Sequence, residues 1–187
     1  MMNFENDIQQ CLEVLNNGGI ILYPTDTVWG IGADATNAAA VEKIYSLKKR
    51  PGSKAMIVLV ADERDVLQYT ASPDLAVFDY LATTTKPTTV IYEGALGLAH
   101  NLVAEDGSIA IRICRDTFCK HLIKRFRKPI VSTSANFTGE PTPSNFQNIS
   151  ELLKSGVDYI VRYGHDIAGE PSAVIRWKNG EVIVLRP

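Results

Sequence analysis

Ile44-Tyr45-Ser46-Leu47-Lys48-Lys49-Arg50-Pro51, followed after Gly52 to Ala55 by Met56-Ile57-Val58-Leu59-Val60, reads as a helix end, a turn and a strand. Val41, Ile44, Tyr45 and Lys48 recur along one side of the helix, and a proline just past a helix end cannot continue it. Met56 to Val60 is a continuous apolar run, the pattern of a strand buried on both faces. A helix feeding such a strand is the unit of an α/β protein. The cations at the corner, Lys48, Lys49 and Arg50, have a structural reading, because cations stabilise a helix C-terminus by about 0.3–1 kcal/mol. They also have a chemical one: Arg grips phosphate or carboxylate bidentately and Lys acts as a point charge.

Upstream of this corner, Ile8, Cys11, Leu12 and Leu15 keep helical spacing, and Gly18-Gly19 closes the helix as a left-handed cap. Ile20 to Tyr23 is a buried strand ended by Pro24, and Gly30 and Gly32 are expected in tight turns before the next helix. Downstream, two short helices are expected, the second with Ser72 as N-cap and Pro73 at its first helical position. Strands follow at Thr88 to Tyr92 and from Ile109, where Ile109, Ile111 and Ile113 alternate with Ala110, Arg112 and Cys114. That alternation puts Arg112 on the face away from the isoleucines. A helix capped by Asp116 or Thr117 turns Phe118, Leu122, Ile123 and Phe126 inward, and Ile130 to Ser132 is a strand. Ser144 to Ser155 reads mostly as helix and Tyr159 to Val161 as a short strand. The end is a hairpin, Ala173 to Trp177 and Val182 to Leu185 around Asn179-Gly180. The expectation is one α/β domain over residues 1–187, a twisted mixed sheet with flanking helices and a C-terminal β-hairpin.

At 187 residues, 45% hydrophobic and 21% charged, the composition is that of a soluble globular domain with a sizeable core. A net charge of −2 argues against non-specific coating of nucleic acid. One local basic stretch, Lys120, Lys124, Arg125, Arg127 and Lys128, reads as a solvated face or as a contact with RNA backbone. No leader pattern and no membrane-length apolar run is present, so a cytoplasmic protein without a membrane partner is expected. Cys11, Cys114 and Cys119 lack zinc spacing and are expected as reduced, buried thiols.

Three polar segments each border a buried strand: the Thr25/Thr27 loop, the Lys48 to Arg50 corner and Ser132-Thr133-Ser134-Ala135-Asn136. Loops at strand ends line ligand crevices in α/β sheets. Hydroxyls, an amide and cations suit anionic groups, and general bases are scarce, since His100, His121 and His165 lie outside these loops. The P-loop pattern is absent. Gly30-Ile31-Gly32-Ala33-Asp34-Ala35 fits G-x-G-x-x-A, but Pro24 to Trp29 separate it from the strand. The position about twenty residues further on falls near Arg50 rather than on an acid.

The loop Tyr23-Pro24-Thr25-Asp26-Thr27-Val28-Trp29-Gly30-Ile31-Gly32, the K-x-R pair Lys48/Arg50 and the S-x-N pair Ser134/Asn136 together resemble the YrdC/Sua5 family of L-threonylcarbamoyladenylate synthases. The likeness runs over essentially the whole chain, without the additional C-terminal domain of the longer Sua5 form. It implies a YrdC-like fold and synthesis of threonylcarbamoyl-AMP from L-threonine, bicarbonate (or CO2) and ATP, with release of pyrophosphate. That is the first step of threonylcarbamoylation of tRNA adenosine 37, completed by downstream transferase proteins, with tRNA a further candidate partner. By matched position, the resemblance implies Lys48 and Arg50 as catalytic and triphosphate-holding, with Lys54, Ser134, Asn136, Thr142 and Arg186 also nucleotide-binding. It implies Thr27, Arg112, Ser132 and Ser172 as the threonine site, and Mg²⁺ held mainly by ATP phosphates. The chain departs from the family pattern at Leu59, where many members have His, at Gly169-Glu170-Pro171-Ser172-Ala173, and at Thr84-Thr85-Lys86-Pro87. The alternatives are a carbamoyladenylate-forming domain and a non-catalytic tRNA- or double-stranded-RNA-binding relative of the YciO branch.

Overall fold

In the computed structural model, which describes residues 4–49, 56–164 and 169–187, the first half of the chain runs α1 (Glu5–Asn16), β1 (Ile21–Tyr23), β2 (Gly30–Asp34), α2 (Ala38–Leu47), β3 (Ile57–Val60), α3 (Glu63–Tyr69) and α4 (Ala76–Thr83). The second half runs β4 (Thr88–Tyr92), β5 (Ile109–Ile113), α5 (Thr117–Phe126), β6 (Ile130–Ser134), α6 (Glu151–Ser155), β7 (Tyr159–Ile160), β8 (Ala173–Lys178) and β9 (Glu181–Arg186). The strands form one sheet in the order β7-β1-β2-β6-β3-β5-β4-β8-β9. The pairs β1/β7, β3/β5 and β4/β8 are parallel and the others antiparallel, so the expected mixed sheet is present. Arg50, Lys54 and His165 lie outside the described residues.

Alternation along β3 separates two layers. Val58 and Val60 pack with Ile31, Val131, Ile111 and Val90 against Val41 and Ile44 of α2 and Val77 and Phe78 of α4. Leu59 points the other way, into a cluster with Tyr23 and Ile130 beneath Ile8, Cys11 and Leu15 of α1 and Phe118, Leu122 and Phe126 of α5. Directly opposed residues on neighbouring strands share a face. The registers Leu59↔Arg112, Ile57↔Ala110, Ile57↔Ser132 and Gly30↔Ser134 therefore put Arg112, Ala110, Ser132, Ser134 and Gly30 on the α1/α5 side. Their part of that face forms the floor of a cavity with no residue of α1 or α5 in its wall.

Four expectations are corrected. Gly30 and Gly32 are in strand β2, not in turns. A Cβ on Gly30 would sit 2.8 Å from Ser132 Oγ, and one on Gly32 would sit 2.6 Å from Tyr23 Cε1 and 3.0 Å from the Val131 carbonyl. These glycines let neighbouring strands' side chains close in, and the G-x-G-x-x-A match is sheet rather than phosphate loop. Helix α4 opens at Ala76, whose N–H donates to Asp74 Oδ1 at 3.0 Å, while Ser72 turns at φ +46°. Residues 144–155 hold a 3-10 turn at Phe146–Asn148 and the five-residue α6, rather than one helix. Strand β6 continues past Ser132 to Ser134.

Several local readings hold. Gly18 takes φ +68° after α1, Asp116 caps α5 by accepting from the Cys119 N–H at 2.8 Å, and the three cysteines are free and buried. The hairpin turns through Asn179 (φ +53°) and Gly180 (φ +77°), the paired positive angles of a type I′ turn. Among the described residues no helix is long and apolar enough to cross a membrane.

Candidate functional site

The cavity on the open part of the sheet measures about 310 Å³, at the lower end of small-molecule sites. Of the residues singled out from the sequence, it brings together Thr27, Arg112, Ser132, Ser134, Thr142, Ser172 and Arg186. Lys48 and Asn136 do not line it. They sit behind the wall, where the Lys48 ammonium donates to the carbonyls of Ser134 and Asn136.

Arg112, at 3% exposure, is the deepest charge of the site. Burying a guanidinium is tolerable only with a partner charge and satisfied donors. The loop between β1 and β2 supplies the charge and one acceptor: Asp26 Oδ1 lies 3.1 Å from Arg112 Nη2, which also donates to Thr27 Oγ1 at 3.1 Å. Asp26 is itself held by the Arg115 N–H, which donates to its Oδ2 at 3.0 Å. Arg112 Nε is buried with no hydrogen-bond partner among the described residues. Arg112 also lines the cavity, and a guanidinium there suits a carboxylate.

The hydroxyls beside it have a fixed direction. Thr25 Oγ1 donates to the Val28 carbonyl at 2.7 Å and lies 2.9 Å from Thr27 Oγ1. A hydroxyl has one proton, and that of Thr25 is spent on Val28, so Thr27 donates to Thr25. Thr27 also accepts from Arg112. What Thr27 has left for a ligand is a lone pair, so it can accept but not donate.

On the opposite wall Ser172, 2% exposed, has its Oγ 2.8 Å from Thr89 Oγ1. Arg186 reaches in from β9, its Nε donating to the Ser172 carbonyl at 2.9 Å and its Nη2 to Ser172 Oγ at 3.3 Å. Burial, with a smaller contribution from the like charge of Arg112, lowers the Arg186 pKa below its ordinary value. Two guanidiniums facing one small space favour anions there. The chain leading to Ser172 presses on the first wall: a Cβ at Gly169 would lie 1.8 Å from the Thr27 carbonyl oxygen. Only glycine fits that approach.

The cavity wall carries no histidine and no carboxylate among the described residues. His100 and His121 are exposed elsewhere. No described cluster of three or more His, Cys, Asp or Glu could hold a metal ion. On the basic α5 face, Arg125 pairs with Glu5 and Lys128 Nζ with Asp34 at 2.7 Å. That stretch is therefore less positive than its sequence suggests. Sequence reasoning missed Asp26 and Gly169 in their cavity roles, because each acts on a partner distant in the chain. Thr89 had a weak signal, a polar residue within an apolar strand.

A family model described as telomere recombination, for the Sua5/YciO/YrdC proteins, matches residues 13–187. The chain is 31% identical over 186 residues to the threonylcarbamoyl-AMP synthase of Vibrio campbellii, covering 98% of both chains. Among solved structures, it superposes on P. abyssi Sua5 complexed with L-threonine with a TM-score of 0.86 at 23% identity. That match covers 98% of this chain and 54% of the other, so the chain spans about half the length of that Sua5. It superposes on E. coli YciO with a TM-score of 0.83 at 24% identity, covering 97% of this chain and 88% of the other. At these identities the two superpositions establish the fold.

Proposed function

The chain belongs to the Sua5/YciO/YrdC family, and from that premise we propose that it makes L-threonylcarbamoyl-AMP from L-threonine, bicarbonate or CO2 and ATP, releasing pyrophosphate. The observation that carries the reading is the union, in one cavity, of the Arg112/Thr27 wall with the Ser134/Thr142 wall under two guanidiniums. The first suits an amino acid and the second a nucleotide.

In this reading the threonine carboxylate pairs with the Arg112 guanidinium, and an N–H of the amine donates to the lone pair of Thr27. Ser132 and Ser172 bound the same subsite. The amine nitrogen attacks the carbon of CO2 and loses a proton to solvent, giving a carbamate. A carbamate oxygen then attacks the α-phosphorus of ATP, the bond to the β-phosphate oxygen breaks, and pyrophosphate leaves with the bonding electrons. If bicarbonate is the source, one water is also released. The product and its precursor are more anionic than threonine, which matches a cavity lined by both Arg112 and Arg186. Phosphoryl chemistry of this kind depends on position and charge rather than on a protein base, in keeping with a wall of hydroxyls and guanidiniums.

Ser134, Thr142 and Arg186 are proposed at the nucleotide, with Arg50 and Lys54, which lie outside the described residues, as further phosphate contacts. With no described acidic cluster, Mg²⁺ would be held by ATP phosphates and water and would neutralise phosphate charge. The enzyme is then a nucleotidyltransferase. Its labile product passes in the cytoplasm to transferase proteins that modify tRNA adenosine 37, with tRNA a candidate contact.

The test is pyrophosphate release from ATP with Mg²⁺ and bicarbonate, with and without L-threonine, beside an L-serine control. Threonine-dependent release with a threonylcarbamoyl-AMP mass is the expected result. ATP binding without release for any amino acid would overturn it in favour of another carbamoyl source or a non-catalytic role.

A further inference from the structure

Lys48 is cationic, yet it is only 1% exposed and contributes nothing to the cavity wall. It ends α2, its N–H still donating to the Ile44 carbonyl at 3.0 Å. Its side chain runs beneath the segment that follows β6, and there its ammonium donates to the Ser134 carbonyl and, at 2.6 Å, to the Asn136 carbonyl. The same residue's carbonyl accepts from the Thr138 N–H and from Thr138 Oγ1, both at 3.3 Å. Lys48 thus holds this segment at both ends of a single residue.

Asn136 adds a second clasp from within. Its Nδ2 donates to the carbonyls of Phe137 at 3.0 Å and Glu140 at 2.8 Å. Four carbonyls of one short stretch are therefore gathered by one ammonium and one amide. Ammonium-to-carbonyl bonds in a water-poor setting are directional and strong, so they set where the stretch runs. That stretch begins at Ser134 and leads into Thr142, the two hydroxyl residues of the proposed nucleotide wall.

We propose that Lys48 is a positioning residue. Its ammonium clasps the Ser134 and Asn136 carbonyls, and so fixes the wall on which the nucleotide is to lie, without itself being the group that meets the phosphates. The K-x-R and S-x-N pairs are then interlocked, Lys48 and Asn136 building the wall that Ser134 presents. The role assigned to the wall rests on the synthase reading, but the clasp is a property of the ligand-free protein and can be tested separately.

The experiment compares Lys48→Met and Lys48→Arg with wild type by amide hydrogen exchange without ligand, thermal unfolding, and KM for ATP and for L-threonine. Lys48→Met is expected to raise exchange at least tenfold for amides in residues 135–142 while the central strands stay protected. KM for ATP rises at least tenfold, and KM for L-threonine stays within about twofold. Lys48→Arg keeps the charge but presents a broad planar fork where a compact ammonium sat, so it is expected to loosen the same amides. Unchanged exchange in ligand-free Lys48→Met together with weakened ATP binding would overturn the proposal, because the lysine would then act by touching the phosphates. So would full rescue of the ATP KM by Lys48→Arg. If Lys48→Met does not fold, Lys48→Arg alone decides between loosened amides and rescue. If wild type releases no pyrophosphate, the synthase reading fails while the exchange comparison still judges the clasp.

Discussion

Replacing Thr27 by Val removes one oxygen and keeps the side chain's shape. In the folded protein that oxygen accepts from Arg112 Nη2 and donates to Thr25. Its loss leaves a buried guanidinium donor with Asp26 as its remaining partner. An unsatisfied donor of that kind costs about 1–3 kcal/mol, which for a chain of this size lowers the melting temperature by roughly 2–4 °C per kcal/mol. The effect on binding is separate. If the Thr27 lone pair accepts from the substrate amine, one bond to a charged or polarised donor is lost, about 1.5–3 kcal/mol, or roughly 10- to 150-fold in Kd. Calorimetric titration with L-threonine and with 3-hydroxybutanoate, which lacks the amine, separates the two effects. Thr27→Val should weaken threonine by the full factor, and the amine-free ligand only by the disturbance to Arg112. Thr27→Ser should restore most of the loss. Equal weakening of both ligands by Thr27→Val would refute the donor-and-acceptor reasoning, as would a Ser variant no better than Val.

Further outcomes follow from neighbouring contacts. Arg112→Met strands a carboxylate that is 8% exposed, so urea unfolding should show a loss of about 3–5 kcal/mol, partly recovered by adding Asp26→Asn; strict additivity of the two changes would contradict their pairing. Gly169→Ala forces the chain off the Thr27 carbonyl, and threonine-dependent turnover should fall well before the melting temperature does; unchanged turnover would show that this contact is dispensable. Burial raises the thiol pKa of Cys11 and Cys119, which lowers the thiolate fraction at any given pH. A thiol reagent at pH 8 should therefore find none of the three cysteines in the native protein and all three after denaturation. Gly180→Ala, at φ +77° in an open turn, should lower stability by about 1–2 kcal/mol in thermal melts with little effect on turnover.

The elements that declared themselves in the sequence were those whose pattern is local. The β5 alternation put Arg112 opposite its isoleucines, and the Asn179-Gly180 pair marked the closing hairpin. Strand β2 escaped because its glycines carry no period, and their reason for being small is the Tyr23 ring and Ser132 hydroxyl on adjacent strands. Arg115 illustrates the same limit. Its guanidinium donates to the carbonyls of Leu81 at 2.9 Å and Thr84 at 2.7 Å, satisfying the end of α4, while its N–H holds Asp26. No spacing rule connects those residues. Of the polar segments picked from the sequence, the Thr25/Thr27 loop and the Ser132 to Ser134 stretch meet at one cavity, while Lys48 stands behind it. Which member faces the cavity and which braces it from behind, as with Ser134 and Lys48, depends on side-chain direction across the sheet and was legible only in three dimensions.

A sheet face normally finds its second layer in helices. Here α1 and α5 cover only part of theirs, and the remainder lies under the cavity. Whatever fills that space completes a layer of the protein, so occupancy and folding are thermodynamically linked. A ligand that binds the folded state alone adds RT ln(1 + [L]/Kd) to its stability, about 2.7 kcal/mol at a hundredfold excess over Kd. Candidate substrates could therefore be ranked by melting temperature alone, before any turnover is detected. A nucleotide and an amino acid that shift the melt together by more than the sum of their separate shifts would report that they share one space.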